Sequence, residues 1–225
     1  MREVVVDTET TGLSHKNGDR IIEVACIELI NHVPTKEQLQ FYCSTDKRMS
    51  EEAIKVHGIS NEFLKKFPTF KDQAKDFLDF IQNDKLIIHN AEFDLGFLNN
   101  ELKTSGFTEI KNEYIDTVLL ARKKLNTRTA NLDFLCKRFS IDLSSRALHG
   151  ALLDCQLLTE VYIELLGGRQ VSLELSNSKN FKKNINSAAS YEKKLHKIQI
   201  SNEEKEEHKN LIAQINNSLW KKVKH

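Results

Sequence analysis

The sequence predicts an α/β protein, one sheet covered by helices, followed by a basic tail with a different composition. Three observations predict it. Short β-branched or apolar runs, such as Val4-Val5-Val6 and Leu86-Ile87-Ile88, read as buried strands. Longer segments carry apolar residues at three-and-four spacing, the period of an amphipathic helix. Strands mostly precede helices along the chain, the order of a sheet with helices packed on it.

Taken in order, Glu3–Asp7 is the first strand, a β-branched run ending in a carboxylate. Arg20–Ile30 is the second, with polar positions at Glu23 and Glu28, and Gln38–Cys43 is the third. Thr69–Gln82 sets Phe70, Ala74, Phe77, Leu78 and Ile81 on one helical face. Leu86–Ile88 runs as a strand straight into His89-Asn90, and Ala91–Lys103 follows as a helix carrying Phe93, Phe97, Leu98 and Leu102. Tyr114–Leu125, Asn131–Phe139 and Gly150–Leu166 read as three further helices. Periodicity alone does not fix the strand order.

Composition narrows the function classes. The 225 residues are 40% apolar and 29% charged, with two prolines and eight glycines, which suits a globular domain and excludes a low-complexity chain. No run of eighteen apolar residues exists to cross a membrane, and the three apolar residues before Asp7 are too few for a secretory signal, so a cytoplasmic location is expected. Cys26, Cys43, Cys136 and Cys155 form no CxxC pair, so free, buried or half-buried thiols are expected rather than structural zinc or disulfides. The net charge of +1 hides an asymmetry: residues 169–225 carry +6 and the first 168 carry −5. After Gly167-Gly168 the composition turns to Ser, Asn, Lys and Gln, as a flexible linker does. The expected organisation is a catalytic domain over 1–168, a linker over 169–199 and a C-terminal segment over 200–225.

Candidate chemistry sits where strands give way to helices. In Asp7-Thr8-Glu9 the two carboxylates are two residues apart on a strand and share a face, where they repel unless a cation lies between them. Gly12 closes the turn that follows. The segment His89-Asn90-Ala91-Glu92-Phe93-Asp94 places Asp94 in the first turns of a helix, and Leu148-His149-Gly150-Ala151-Leu152-Leu153-Asp154 sets His149 before another helix with Asp154 inside it. Each cluster has a bland reading, as a solvated loop acid, a helix-start acid or a helix-flanking His. Together they form a coherent site for metal-assisted phosphodiester hydrolysis. Two divalent ions about 4 Å apart would clamp the phosphate, and His149 would take the proton of the attacking water. Magnesium suits this oxygen ligand set, with manganese a close substitute.

The motifs DTETTG at Asp7–Gly12, HNAEFD at His89–Asp94 and LHGALLDC at Leu148–Cys155 resemble, in order and spacing, those of the DEDDh 3′–5′ exonucleases. The resemblance covers roughly residues 1–168. Within that family the chain is similar to the proofreading exonucleases of bacterial replicative DNA polymerase III, through EEAIKVHGIS at Glu51–Ser60, ARKKL at Ala121–Leu125 and NLDFLC at Asn131–Cys136. The resemblance implies an RNase H-like fold, a mixed sheet of about five strands flanked by helices. It implies that Asp7, Glu9 and Asp154 ligate one of two divalent ions, Mg2+ or Mn2+, and that Asp7 and Asp94 hold the other. His149 would be the general base. Glu52 and His57 match positions near the terminal nucleotide, Thr10 is a candidate hydrogen-bond donor to it, and Phe93 either presses on it or belongs to the core. No catalytic position departs from the family pattern.

The tail reads as a tether. Gln170-Val171-Ser172-Leu173-Glu174-Leu175 resembles a short sliding-clamp motif, with Gln170 fixing register and Leu173 and Leu175 entering a groove. Ser201–Val223 reads as an amphipathic helix with a Ser201/Glu204 capping box. Leu211, Ile215, Leu219 and Trp220 give it an apolar stripe, and Lys221, Lys222 and Lys224 a basic end. The family supplies the partner for that stripe, the polymerase III alpha subunit, and a tether raises the nuclease's effective concentration at a primer end. The expected function is a 3′–5′ exodeoxyribonuclease that removes misincorporated nucleotides. A free-standing nuclease trimming RNA or single-stranded DNA and a non-catalytic assembly factor remain the alternatives.

Overall fold

The computed structural model describes residues 1–144, 146, 148–168 and 201–215. They fall into two units, one within residues 1–173 and one within 174–225. The first unit is built on five strands: β1 (Arg2–Thr10), β2 (Ile21–Ile30), β3 (Val33–Tyr42), β4 (Lys85–Ile88) and β5 (Tyr114–Asp116), in the order β3-β2-β1-β4-β5. β1, β2 and β3 are antiparallel neighbours, whereas β4 and β5 run parallel to β1, so the sheet is mixed. The helices of this unit are α1 (Glu51–His57), α2 (Asn61–Leu64), α3 (Phe70–Ile81), α4 (Ala91–Thr104), α5 (Thr117–Leu125), α6 (Leu132–Phe139) and α7 (Ala151–Leu166).

Alternation along β1 assigns each face its helices. Val4 and Val6 enter one core with Phe77 of α3 and Phe97 and Leu98 of α4, while Val5 enters the opposite core with Leu135 of α6 and Leu158 and Tyr162 of α7. Extending the pattern, Thr8 falls on the α4 side and Asp7 and Glu9 on the α7 side. The central strands are buried on both faces, which explains their unbroken apolar runs.

Three departures from the sequence reading have local causes. Residues 114–125 are not one helix: Tyr114–Asp116 pairs with β4, and the helix starts only at Thr117. The Asp116 side chain marks the change, accepting from the backbone N–H of Val118 at 2.8 Å as a helix cap. Helices α1 and α2 occupy a stretch to which the sequence analysis assigns no element; Ser50 and Ser60 cap them by accepting from Ala53 and Phe63 at 3.1 Å. β3 starts five residues earlier than Gln38, and most of its first half is exposed, so it lacks the apolar signal. The four cysteines are buried and free.

The second unit contributes α8 (Asn202–Gln214), with Ser201 and Glu204 forming the expected capping box at 3.1 and 2.9 Å. Its described extent ends at Gln214, where Ile215 turns to extended backbone, and residues 216–223 of the expected helix lie outside the described residues. Leu211 and Ile215 are 58% and 48% exposed. Gln170, Leu173, Leu175, Leu219 and Trp220 lie outside the described residues. Among the described residues no helix is long and apolar enough to cross a membrane.

Candidate active site

Four carboxylates converge at the C-terminal end of β1. Asp7 and Glu9 come from the strand itself, Asp154 from the first turn of α7, and Asp94 from the first turn of α4 across the sheet. Asp94 is joined to β1 by the Thr8 hydroxyl, which donates to its Oδ1 at 2.7 Å. The α4 start is held in turn by Asp116, whose Oδ2 accepts from the Ala91 N–H at 3.1 Å. A left-handed Asn90 (φ 68°) makes the sharp exit from β4 into that helix. His149 lies just before α7, its Nδ1 3.3 Å from Asp154 Oδ2. Ligand atoms of Glu9, His149 and Asp154 all lie within 4.8 Å of one another. The sequence-predicted acids and histidine are therefore brought together.

The electrostatics are those of a site awaiting positive charge. Burial, reinforced by Asp94, Glu9 and Asp154, drives the Asp7 carboxyl well above its ordinary range. Burial and the neighbouring Asp154 and Glu23 push Glu9 to about 8. Asp94 rises to about 7, chiefly through burial, although the Thr8 hydrogen bond opposes the rise. Hard divalent cations relieve such a cluster, and carboxylate oxygens are their preferred donors. The donor set fits them.

Arg146 was missed from the sequence. Its guanidinium spans Asp154 with two hydrogen bonds of 2.7 Å, donates to His149 Nδ1 at 2.9 Å and also pairs with Asp133. It lies in an irregular segment before α7, where no periodicity marks it.

Beside the acids lies a cleft of about 790 Å³ lined by Glu9, Thr10, Glu52, His57 and Phe93, together with Leu13, Met49 and Val56. Of the residues expected to contact the nucleotide, Glu9, Thr10, Glu52, His57 and Phe93 share this cleft, whereas Asp7 and Asp154 are not among its lining residues. Phe93 is half-buried and packs on Phe97 at 4.9 Å between ring centroids, so it serves core and cleft together. His57 Nδ1 accepts from the Ile59 N–H at 3.0 Å, which leaves the proton on a buried Nε2 without a partner among the described residues. Burial lowers the His57 pKa. The Thr10 hydroxyl differs from expectation: it donates to the Gly12 carbonyl at 2.6 Å, so its side chain offers the cleft an acceptor. Leu13, 87% exposed at the cleft edge, is an apolar residue that periodicity does not flag.

The exonuclease family profile matches residues 4–162. The chain is 50% identical over 179 residues to DNA polymerase III subunit epsilon of Rickettsia conorii, covering 78% of each chain. It is 44% identical over 222 residues to the Rickettsia typhi protein of the same name, covering 96% of this chain and 97% of that one. The corresponding Haemophilus influenzae protein is 37% identical, with 98% and 95% covered. Among solved structures, the nuclease domain of 3′hExo, a DEDDh family member bound to rAMP, superposes with a TM-score of 0.65 at 17% identity, covering 73% and 91%. Exonuclease X in complex with 5′ overhanging duplex DNA gives 0.59 at 23% identity, covering 73% and 90%. At those identities the two structures speak for the fold.

Proposed function

The chain belongs to the exonuclease family and to its DNA polymerase III epsilon branch, and from that premise we propose how its residues carry out 3′–5′ hydrolysis of DNA. Asp7, Glu9 and Asp154 hold one divalent ion and Asp94, with Asp7, a second; Mg2+ is the natural occupant and Mn2+ its substitute. Bound there, the ions supply Lewis acidity, lowering the pKa of the attacking water and neutralising charge on the leaving oxygen. His149 accepts the water's proton. The terminal nucleotide lies in the adjacent cleft, where Glu52, Thr10 and the unpartnered His57 Nε2–H offer polar contacts. Phe93 offers an apolar surface to base or sugar.

The observation that carries this reading is the convergence of Glu9, His149 and Asp154 within 4.8 Å, beside two more acids whose pKa values are raised, chiefly by burial. A mismatched end frays more readily than a paired one. A site that takes only an unpaired 3′ end therefore selects errors without reading sequence.

The remaining segments act as a tether in the cytoplasmic replication machinery. Residues 200–225 bind the polymerase alpha subunit through Leu211, Ile215, Leu219 and Trp220, and 169–199 link them to the nuclease domain. Gln170, Leu173 and Leu175 engage the sliding clamp. The exposure of Leu211 on α8 supports this.

Stepwise release of nucleotides from 3′-labelled single-stranded DNA in Mg2+ tests the chemistry, with EDTA and His149→Ala as controls. Release is expected in Mg2+ alone, and a folded chain inert in both Mg2+ and Mn2+ overturns the reading. Loss of polymerase-subunit binding on deletion of 169–225 tests the tether.

A further inference from the structure

We propose that α5, α6 and the segment joining them form a track for the phosphate backbone of the single DNA strand whose 3′ end enters the site. The inference rests on the nuclease reading and adds to it a surface outside the site itself. Between Thr117 and Ser140 stand six cations, Arg122, Lys123, Lys124, Arg128, Lys137 and Arg138, against one acid, Asp133. That acid is already paired with Arg146. The domain around the six is acidic, since residues 1–168 carry −5 in all. All six cations are exposed, and among the described residues none of their side chains makes an ion pair or a hydrogen bond.

A cation near a helix C-terminus is favourable by itself, and Arg122–Lys124 and Lys137-Arg138 stand in last turns. That effect does not reach Arg128, which lies in neither helix. Both helices pack against α7 through Ala121, Leu135 and Cys136, which leaves the cations on the outside. Leu119, 61% exposed, shares a face of α5 with Arg122 and Lys123 at three-and-four spacing, so an apolar surface for a sugar or base lies beside the charges. The track begins at the site. α5 starts where Asp116 accepts from the Ala91 N–H and Thr117 Oγ1 lies 2.8 Å from His89 Nδ1. α6 is joined to the site by Asp133, which holds the Arg146 that grips Asp154. Arg122 stands about 9 Å along the helix axis from Asp116. A strand whose terminal phosphate lies at the carboxylates therefore reaches the first cations within a few nucleotides. The acids repel phosphate, and unpaired cations beside them supply the attraction.

The test is binding of a 5′-fluorescent oligothymidylate of about sixteen nucleotides to the full chain in EDTA, read by anisotropy over about 50–200 mM salt. EDTA prevents hydrolysis, so the readout needs no nuclease activity. Arg122→Gln, Lys123→Gln and Arg128→Gln combined are expected to lower the slope of log K against log salt by about 2, at about 0.7 per lost phosphate contact. Binding at the lowest salt should weaken about tenfold or more. Lys75→Gln, Lys103→Gln and Lys111→Gln combined remove the same charge from exposed positions off the track and should change both far less. Arg122→Lys with Arg128→Lys should bind like the wild type, because a phosphate accepts a point charge. Thermal unfolding establishes that each variant compared is folded. A wild type that does not bind at the lowest salt overturns the proposal. So does a folded triple variant on the track that binds no more weakly than the one off it, which would leave an acidic protein surface as the occupant of this face. A wild type whose binding depends on the track but which releases no nucleotides in Mg2+ sinks the functional reading instead.

Discussion

Strand β1 carries a buried or half-buried acid toward each end, and the two ends treat it in opposite ways. Glu3, fully buried, receives the Tyr162 hydroxyl at 2.9 Å and faces His32 Nδ1 at 2.6 Å. At the other end Asp7 and Glu9 have, among the described residues, no side-chain hydrogen bond that would hold their pKa values down, and burial with neighbouring acids raises both. Helix α7 serves both ends, with Asp154 in its first turn and Tyr162 about two turns further on. Other enclosed acids side with Glu3: Glu23 is met by Gln40 and the Ala151 N–H, and Glu101 by Arg20 through two hydrogen bonds of 2.6 Å. The difference separates two uses of a buried carboxylate. One that is matched by protein donors holds elements together. A cluster left repelling itself opposes folding and binds cations.

The largest expected effect breaks the comparison at the functional end. Asp7→Asn should reduce nucleotide release in Mg2+ to background, while raising the melting temperature of the metal-free chain because a buried like-charge repulsion is gone. His149→Ala, which removes the proposed base and leaves the acids, should cost about 10²–10⁴ in rate. Gel assays of release and a metal-free melting curve check both; an active Asp7→Asn chain would refute the ligand assignment.

At the structural end the signs reverse. Glu3→Ala strands the buried Tyr162 hydroxyl and should cost about 2–3 kcal/mol. For a domain of this size that is a fall of about 5–10 °C in melting temperature. The rate of nucleotide release per folded molecule should hardly change. Calorimetry beside the activity assay measures the two separately, and a lost rate at an unchanged melting temperature would show that Glu3 belongs to the site.

Why one end was legible and the other was not follows from what periodicity registers. Asp7, Glu9, Asp94, His149 and Asp154 stand at the ends of strongly apolar segments, so their places on strand or helix could be read and their convergence expected. Helices α3, α4, α6 and α7 were legible for the same reason. Glu3 looked like an edge residue of a β-branched run, because the partners that justify its burial lie 29 and 159 positions away. β5 is three residues long, too short for any period, and was absorbed into the helix that follows. α1 lacks an apolar face, although Ser50 before Glu51-Glu52 and Gly58 at its end are cap signals that bracket it. Arg146 lies in an irregular segment, where only three-dimensional contact gives it meaning.

The raised carboxyls give the comparison a pH signature. Glu9 moves from 4.5 to about 8 and Asp94 from 3.8 to about 7, so in the interval between the folded and ordinary values the native state binds more protons than the unfolded one. Stability then falls as pH rises through that window. The metal-free chain should melt several degrees higher at about pH 5.5 than at about pH 8. Saturating Mg2+ should erase most of the difference, because it stabilises the ionised carboxylates. Melting curves across pH with and without Mg2+ check this, and a metal-free stability that rises with pH would contradict the assigned repulsion.

The smallest effect concerns how the His149 segment is held against α1. The His149 N–H donates to the Val56 carbonyl at 3.0 Å, and a Cβ added at Gly58 would fall 2.5 Å from Leu148 Cδ1. Gly58 also sits at φ +73°. Gly58→Ala therefore combines left-handed strain of about 1–2 kcal/mol with displacement of the residue next to His149. Gly106, at φ +85° with open space around it, provides the strain alone. Both alanine variants should lose similar stability, but only Gly58→Ala should slow nucleotide release, by up to about tenfold if 1.4 kcal/mol of positioning is lost. Equal rates in the two would mean that the joint to α1 holds the loop without aligning the base. The functional end of β1 would then depend on α7 and Arg146 for its geometry.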